Sequence, residues 1–322
     1  MPGQLDAVFA QPTAVGTLQR ALESDRVHHA YLFDGPPGVG KEMAAFGLAQ
    51  ALVCEKRTGK TVCGQCSSCG RAIPRDDGKS RHPDVIVIER ALYEPQTIGR
   101  RTPETQEISI DQIRTLVLAR AAYPPHEGRA KVIVIRRAEE LSISAANALL
   151  KTLEEPIAKT HFVLLTTALG ALLPTVQSRS QRVRFGPLPD DVLEKILVAK
   201  GISADVAKSV VPLAEGSVEL ALAACDPDDN ARREAFVTAA ERAIASGDFG
   251  AALELAEDAK KEKDALPGRI SALGARLAAR ARTGDPRDAD RFAFTLQALR
   301  DLEGNASAQL VVESMMLRMR AV

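Results

Sequence analysis

Four short apolar runs set the limits on what this chain can fold into. They are AYLFDG (residues 30–35), DVIVI (84–88), KVIVI (131–135) and HFVLLT (161–166). Each is rich in β-branched or aromatic residues with little polar alternation, the pattern of strands covered on both faces. Helical patterns lie between them at 42–53, 111–120 and 144–155, the last closed by Pro156, and a short helix is expected over 18–25. Strand–helix alternation of this kind predicts a parallel sheet with helices on both sides. After Phe185 the strand signal stops. Helices are expected at 190–200, 204–214 and 218–225, with DPDDN (226–230) as a polar linker. Beyond it the chain reads as helical throughout. Phe292, Leu296, Leu299 and Leu302 share one helical face, and Gly304-Asn305 is expected to close that helix and cap the next. Three parts follow: an α/β domain (1–186), a small helical lid (187–229) and an all-α C-terminal domain (230–322).

Composition narrows the function. Lys plus Arg equals Asp plus Glu at 42 each, so no global field draws the chain to nucleic acid. Trp is absent and aromatics are 4 %, which argues against a base-stacking platform. The chain lacks a basic start followed by an apolar run, and it lacks any stretch of about 18 apolar residues. A cytoplasmic protein is expected.

The first strand runs into GPPGVGK (35–41) and then a helix, the setting that makes a phosphate loop credible. Gly35, Gly38 and Gly40 would let backbone N–H groups converge on phosphate oxygens, and Lys41 would reach the terminal phosphates. The hydroxyl that normally follows the lysine and holds magnesium is Glu42 instead. A carboxylate about 4 Å from a phosphate charge opposes it by about 4 kcal/mol at intermediate dielectric. The strand 132–135 should end in acids that hold magnesium and orient water. It ends in Arg136-Arg137, with Glu139 and Glu140 further on as poor substitutes. ATP is expected to bind weakly or not at all.

Cys54, Cys63, Cys66 and Cys69 fall within sixteen residues, with Gly64 and Gly70 supplying tight turns. Two Cys-x2-Cys steps suit a closed tetrahedral Zn²⁺ site of structural type, and His82 is a ligand only if one cysteine is not. Cys225 stands apart on a helical pattern and reads as core.

The segments HHAYLFDGPPGVGK, ISIDQIRTL, KVIVIRRAEELSISAANALLKTLEEP and LLPTVQSRSQRVRF together resemble the AAA+ clamp-loader subunits of bacterial DNA polymerase III, over residues 27–185. The resemblance implies an AAA+ α/β domain with a zinc module at about 54–69, a helical lid and a helical collar. In that family the motor subunits (tau/gamma) keep their magnesium-binding residues. This chain departs from them at Glu42, at Arg136-Arg137 and at Glu219, which aligns with the lid arginine that senses phosphate. It keeps the Ser-Arg-Cys motif as Ser178-Arg179-Ser180, and the resemblance makes Arg179 an arginine finger acting on a neighbour's ATP. The pattern implies a stator subunit rather than a motor. Its implied partners are tau/gamma and delta subunits, the sliding clamp, and primer-template DNA through the assembled complex. The collar helices would make the ring contact, with Met315, Met316 and Met319 packing against partner helices. An active motor with unusual magnesium ligands, and an unrelated zinc-containing DNA-binding protein, are the competing readings.

Overall fold

All four apolar runs are strands, and QRVR after them makes a fifth. The computed structural model describes residues 4–102, 107–155, 159–246, 249–261, 265–303 and 306–322. Its strands are β1 (Ala30–Asp34), β2 (Val85–Ile88), β3 (Lys131–Ile135), β4 (Thr160–Thr166) and β5 (Gln181–Arg184). They form one parallel sheet in the order β2-β3-β4-β1-β5. β1 and β3 are buried at every position, which is why they read as continuous apolar runs. β5 lies at an edge and is mostly exposed: Val183 is buried, while Gln181, Arg182 and Arg184 are exposed. The register sets Ile88 beside Ile135, Ile135 beside Leu164, and Asp34 beside both Thr166 and Arg184. The carboxyl ends of the strands therefore share one rim, where ligands of open α/β sheets bind.

The chain divides into two units, Met1–Val192 and Leu193–Val322. In the first, the helices are α1 (Pro12–Glu23), α2 (Lys41–Val53), α3 (Ser67–Ala72), α4 (Ile110–Gln112), α5 (Ala119–Ala121), α6 (Ile143–Glu154) and α7 (Pro174–Gln177). A π-helical stretch, Ile113–Leu118, joins α4 to α5, so the expected helix at 111–120 is continuous but wider in its middle. Ile113, Leu116, Val117, Leu149 and Leu153 pack with Ile133, Ile135, Phe162 and Leu164 in one core. Each such side chain contributes about 1.5–3 kcal/mol by leaving water. From Ala44 onward every residue of α2 is buried. Gly47 lets the short helix Gln4–Ala7 lie on α2, since a Cβ there would stand 2.4 Å from the Leu5 nitrogen. Ser109 and Ser142 cap α4 and α6 by accepting N–H bonds from Gln112 and Ala145, each at 3.2 Å. α1 begins six residues ahead of the expected helix, with Pro12 in its first turn and Ala14, Leu18 and Leu22 on its buried face.

The second unit is helical: α8 (Asp190–Ala199, which starts just ahead of it), α9 (Ala204–Val210), α10 (Val218–Cys225), α11 (Pro227–Ser246), α12 (Phe249–Lys261), α13 (Leu266–Thr283), α14 (Arg287–Glu303) and α15 (Ala308–Ala321). α13 packs on α14, and α15 on both α12 and α14.

Several expectations are corrected here. Residues 227–230 are not a linker but the start of α11, because Pro is tolerated at a first helical position. Leu296 is exposed, while Thr295 and Ala298 occupy the buried stripe of α14. Met315, Met316 and Met319 fill the unit's own core beside Leu266, Ile270 and Leu273, so they do not await a partner. Cys225 is only half-buried. Ser307 stands at the N-cap of α15. The expected helix stop at Pro156 and the cap at Gly304-Asn305 fall outside the described residues. Among those described, no helix is long and apolar enough to cross a membrane.

Candidate functional site

The phosphate loop leaves β1 at Asp34 and enters α2 at Lys41. Gly35 lies where a Cβ would stand 2.2 Å from the Phe185 carbonyl oxygen, and Gly40 has φ of 100°, a left-handed conformation that suits glycine. The loop is therefore formed as its sequence requires. Lys41 is buried, and its Nζ donates to the carbonyl oxygens of Gly35 (2.6 Å) and Pro36 (2.5 Å). Gln11, also buried, donates to Gly186 O at 2.7 Å and accepts the Gly186 N–H at 3.0 Å.

Arg136 follows β3 at the same rim, and its N–H donates to Ile88 O at 2.9 Å. Its guanidinium bonds Glu42 directly, donates to Glu89 at 2.8 Å and lies 5.5 Å from the centre of the Phe46 ring. The two residues that depart from a working magnesium site are thus each other's partners. Arg137, at φ of 47°, reaches Glu140 at 3.5 Å. Glu140 also pairs with Arg90 at 3.0 Å, and Glu139 accepts from the hydroxyl of Thr167 at 2.8 Å and from its N–H at 3.2 Å. These two acids are committed elsewhere. The residues at the rim do not fit a magnesium nucleotide: the carboxylate at 42 is tied to a guanidinium and the strand end is cationic.

Arg179 sits in the turn after α7, with Ser178 and Ser180 bonded back to Thr175 O and Val176 O. Its guanidinium donates to the Glu154 carboxylate (Nε at 2.7 Å) at the end of α6, and to Thr175 O at 3.0 Å. One third of its side chain is exposed (33 %), so the group is reachable yet held. Arg182 has a different role, bonding buried Asp34 at 3.0 Å, and Arg184 lies exposed on β5. Glu219 is exposed in the first turn of α10.

The four clustered cysteines converge. α2 ends at Val53 with Cys54 as its cap, a tight turn pairs Thr58 with Thr61, and Cys66 caps α3. All four sulfurs lie within 4.8 Å of one another, with Cys54–Cys63 at 3.6 Å and Cys63–Cys69 at 3.8 Å. A tetrahedral ion with bonds of about 2.3 Å needs sulfurs about 3.8 Å apart. The donor set fits. Backbone N–H groups of Gln65 and Cys66 aimed at the Cys63 sulfur hold that thiol down to about 6, while burial pushes Cys54 and Cys69 up. Gly64 makes its turn at φ of 66°, but Gly70 lies inside α3. His82 is not needed as a ligand: it is buried, and its Nδ1 accepts the Asp84 N–H at 3.1 Å.

The sequence did not reveal Asp84 as a fastener. It is buried, and it accepts N–H bonds from His126, Glu127 and Gly128 at 2.5, 2.8 and 2.7 Å. Burial pushes its carboxyl up, but these bonds outweigh that and hold it below the usual range. Nor was the Glu42–Arg136 pair legible, because its members lie 94 positions apart.

A family model described as DNA polymerase III, delta subunit, matches residues 10–189. A DNA polymerase III subunit delta' of Bacillus subtilis is 30 % identical over 209 residues, 65 % of this chain and 57 % of that one. The subunit delta' of Pseudomonas aeruginosa is 33 % identical over 58 % of this chain and 51 % of its own length. The subunit gamma/tau of Mycobacterium tuberculosis is 32 % identical over 61 % of this chain and 31 % of its own. The chain thus spans about a third to somewhat over half of the length of these relatives. The family match takes in the phosphate loop, the cysteine module and the Arg179 turn together, and the chain belongs to the clamp-loader family of DNA polymerase III subunits.

Proposed function

We propose that this chain is a delta-prime-type stator of a DNA polymerase III clamp loader, one that does not hydrolyse ATP and lends Arg179 to a neighbouring motor subunit. The observation that carries this reading is the Glu42–Arg136 ion pair at the phosphate loop. A loop whose magnesium position is a carboxylate already bound to the chain's own cation is poorly suited to phosphoryl transfer. The neighbour's magnesium nucleotide would supply the phosphoryl chemistry. Arg179 would place its guanidinium against charge that develops on the transferring phosphate, an effect worth about 10³–10⁵ in rate in comparable enzymes. An arginine held by Glu154 at an exposed turn is oriented before it meets that charge.

Cys54, Cys63, Cys66 and Cys69 would hold one structural Zn²⁺, fixing the excursion between α2 and α3. Residues 187–229 would serve as the lid and 230–322 as the collar, with tau/gamma and delta subunits as neighbours. The sliding clamp and primer-template DNA would be met through the assembled complex, and the protein would work in the cytoplasm. Steady-state ATPase assays on the purified chain test the reading. No turnover above background is expected; turnover that disappears in Lys41→Ala would overturn it.

A further inference from the structure

The two unusual residues at the phosphate loop are opposite in charge. Glu42 sets a negative charge at the amino end of α2, beside the loop. Arg136 sets a cation at the end of β3, with its side chain only 13 % exposed. Together they form an ion pair, and Arg136 extends it to Glu89 (2.8 Å), which follows β2, and to the Gly78 carbonyl (3.3 Å). One guanidinium, covered by Phe46, thus bridges two carboxylates from two different elements.

We propose that the Glu42–Arg136–Glu89 cluster is a built-in substitute for a divalent cation. It ties the start of α2 to the ends of β2 and β3, holds the phosphate loop formed without a ligand, and turns magnesium nucleotide away. This rests on reading the loop as non-catalytic. The physics is asymmetric. Removing Glu42 leaves Arg136 still paired with Glu89, whereas replacing Arg136 by an acid gathers three carboxylates at one rim. A second cation entering the native site would face the guanidinium, and a phosphate would face Glu42. Opening the site to a magnesium nucleotide therefore requires both positions to change.

The test compares the full-length chain with Glu42→Thr, Arg136→Asp and the double variant, by thermal melting and by titration with ATP with and without Mg²⁺. Glu42→Thr should lower Tm slightly. Arg136→Asp should lower it by more than the about 2–4 °C expected from losing one modest interaction in a unit of this size. The double variant should recover part of that loss and bind ATP at least about tenfold more tightly with Mg²⁺ than without, a gain neither single variant shows. If Arg136→Asp fails to fold, Glu42→Gln, Arg136→Gln and their double give the same melting cycle. Additive melting shifts, or a double variant without the magnesium-dependent gain, would overturn the cluster as a cation substitute. Turnover by the unmodified chain would instead overturn the non-catalytic reading on which it rests.

Discussion

The two units keep their polar groups in different ways. In Met1–Val192 the groups around the sheet are each fixed by their own small set of partners: Lys41 by two loop carbonyls, Arg136 by Glu42 and Glu89, Arg179 by Glu154, Asp84 by three N–H groups. All five histidines and all four converging cysteines are there. In Leu193–Val322 the polar groups form a belt between helices. Arg276 meets Glu234 (2.7 Å) and Glu241 (3.6 Å), and Arg280 meets Glu241 (3.0 Å) and Asp288 (2.9 Å). Arg291 joins Asp288 (3.0 Å) to the Met319 carbonyl (3.1 Å), so four helices are laced together. The first pattern fixes individual groups in place around the sheet. The second fixes helices in place and leaves Leu310 and Leu317 exposed on α15.

If that contrast is right, perturbations should separate the units. The largest effect should come from the cysteine module. Cys66→Ser, or chelation, should take zinc from about one per chain towards none and lower the melting temperature of the first unit sharply, since metal binding there is folding energy. Melting of the second unit should stay in place. Metal analysis with calorimetry reads both, and a metal-free chain of equal stability would break the assignment.

Next in size is assembly. Deleting α15 would strip Val312, Met315, Met316 and Met319 from the core and unfold the unit, so it says little about partners. Leu310→Asp with Leu317→Asp changes only exposed positions. It should leave melting within about 0.5 kcal/mol of the parent and weaken co-elution with tau/gamma subunits. Unchanged co-elution would move the ring contact off this face.

A smaller effect is pH dependence. Burial holds His29, His82 and His161 below their usual value. Between that depressed value and about 6.5 the unfolded chain binds more protons than the folded one, so stability is present above about 6.5 and is lost as pH falls. The first unit should therefore soften below pH about 6.5 in melting curves, while the second, which has no histidine, should not through this cause. The smallest effect is Arg276→Ala in the belt, expected to cost less than about 1 kcal/mol because Arg276 and its shorter-range partner Glu234 are both substantially exposed.

The sheet was legible because its central strands are covered on both faces, and such runs have few other uses. The phosphate loop, the cysteine cluster and the turn holding Arg179 were legible because their spacing is local. Contacts made across the sheet were not. Glu42 and Arg136 read as two separate losses until the register brought their strand and helix to one rim. α1 was read short because its first turns carry Thr, Gly and Pro, weak helix formers that packing of Ala14 and Leu18 overrides. The same limit explains the methionines: periodicity marks an apolar face, but only tertiary packing decides whether it meets its own chain or another.

The central claim is that catalysis is absent here and supplied elsewhere through Arg179, and one measurement tests it most directly. Clamp loader reconstituted with Arg179→Ala, and in parallel with Arg184→Ala as the control from exposed β5, should be compared for DNA- and clamp-stimulated ATPase. The account predicts that Arg179→Ala still folds, keeps its zinc and enters the complex. It also predicts that turnover falls more than nucleotide affinity does, because the charge the guanidinium meets develops in the transition state. Arg184→Ala should behave as the parent. Equal behaviour of the two variants, or no loss with Arg179→Ala, would contradict it.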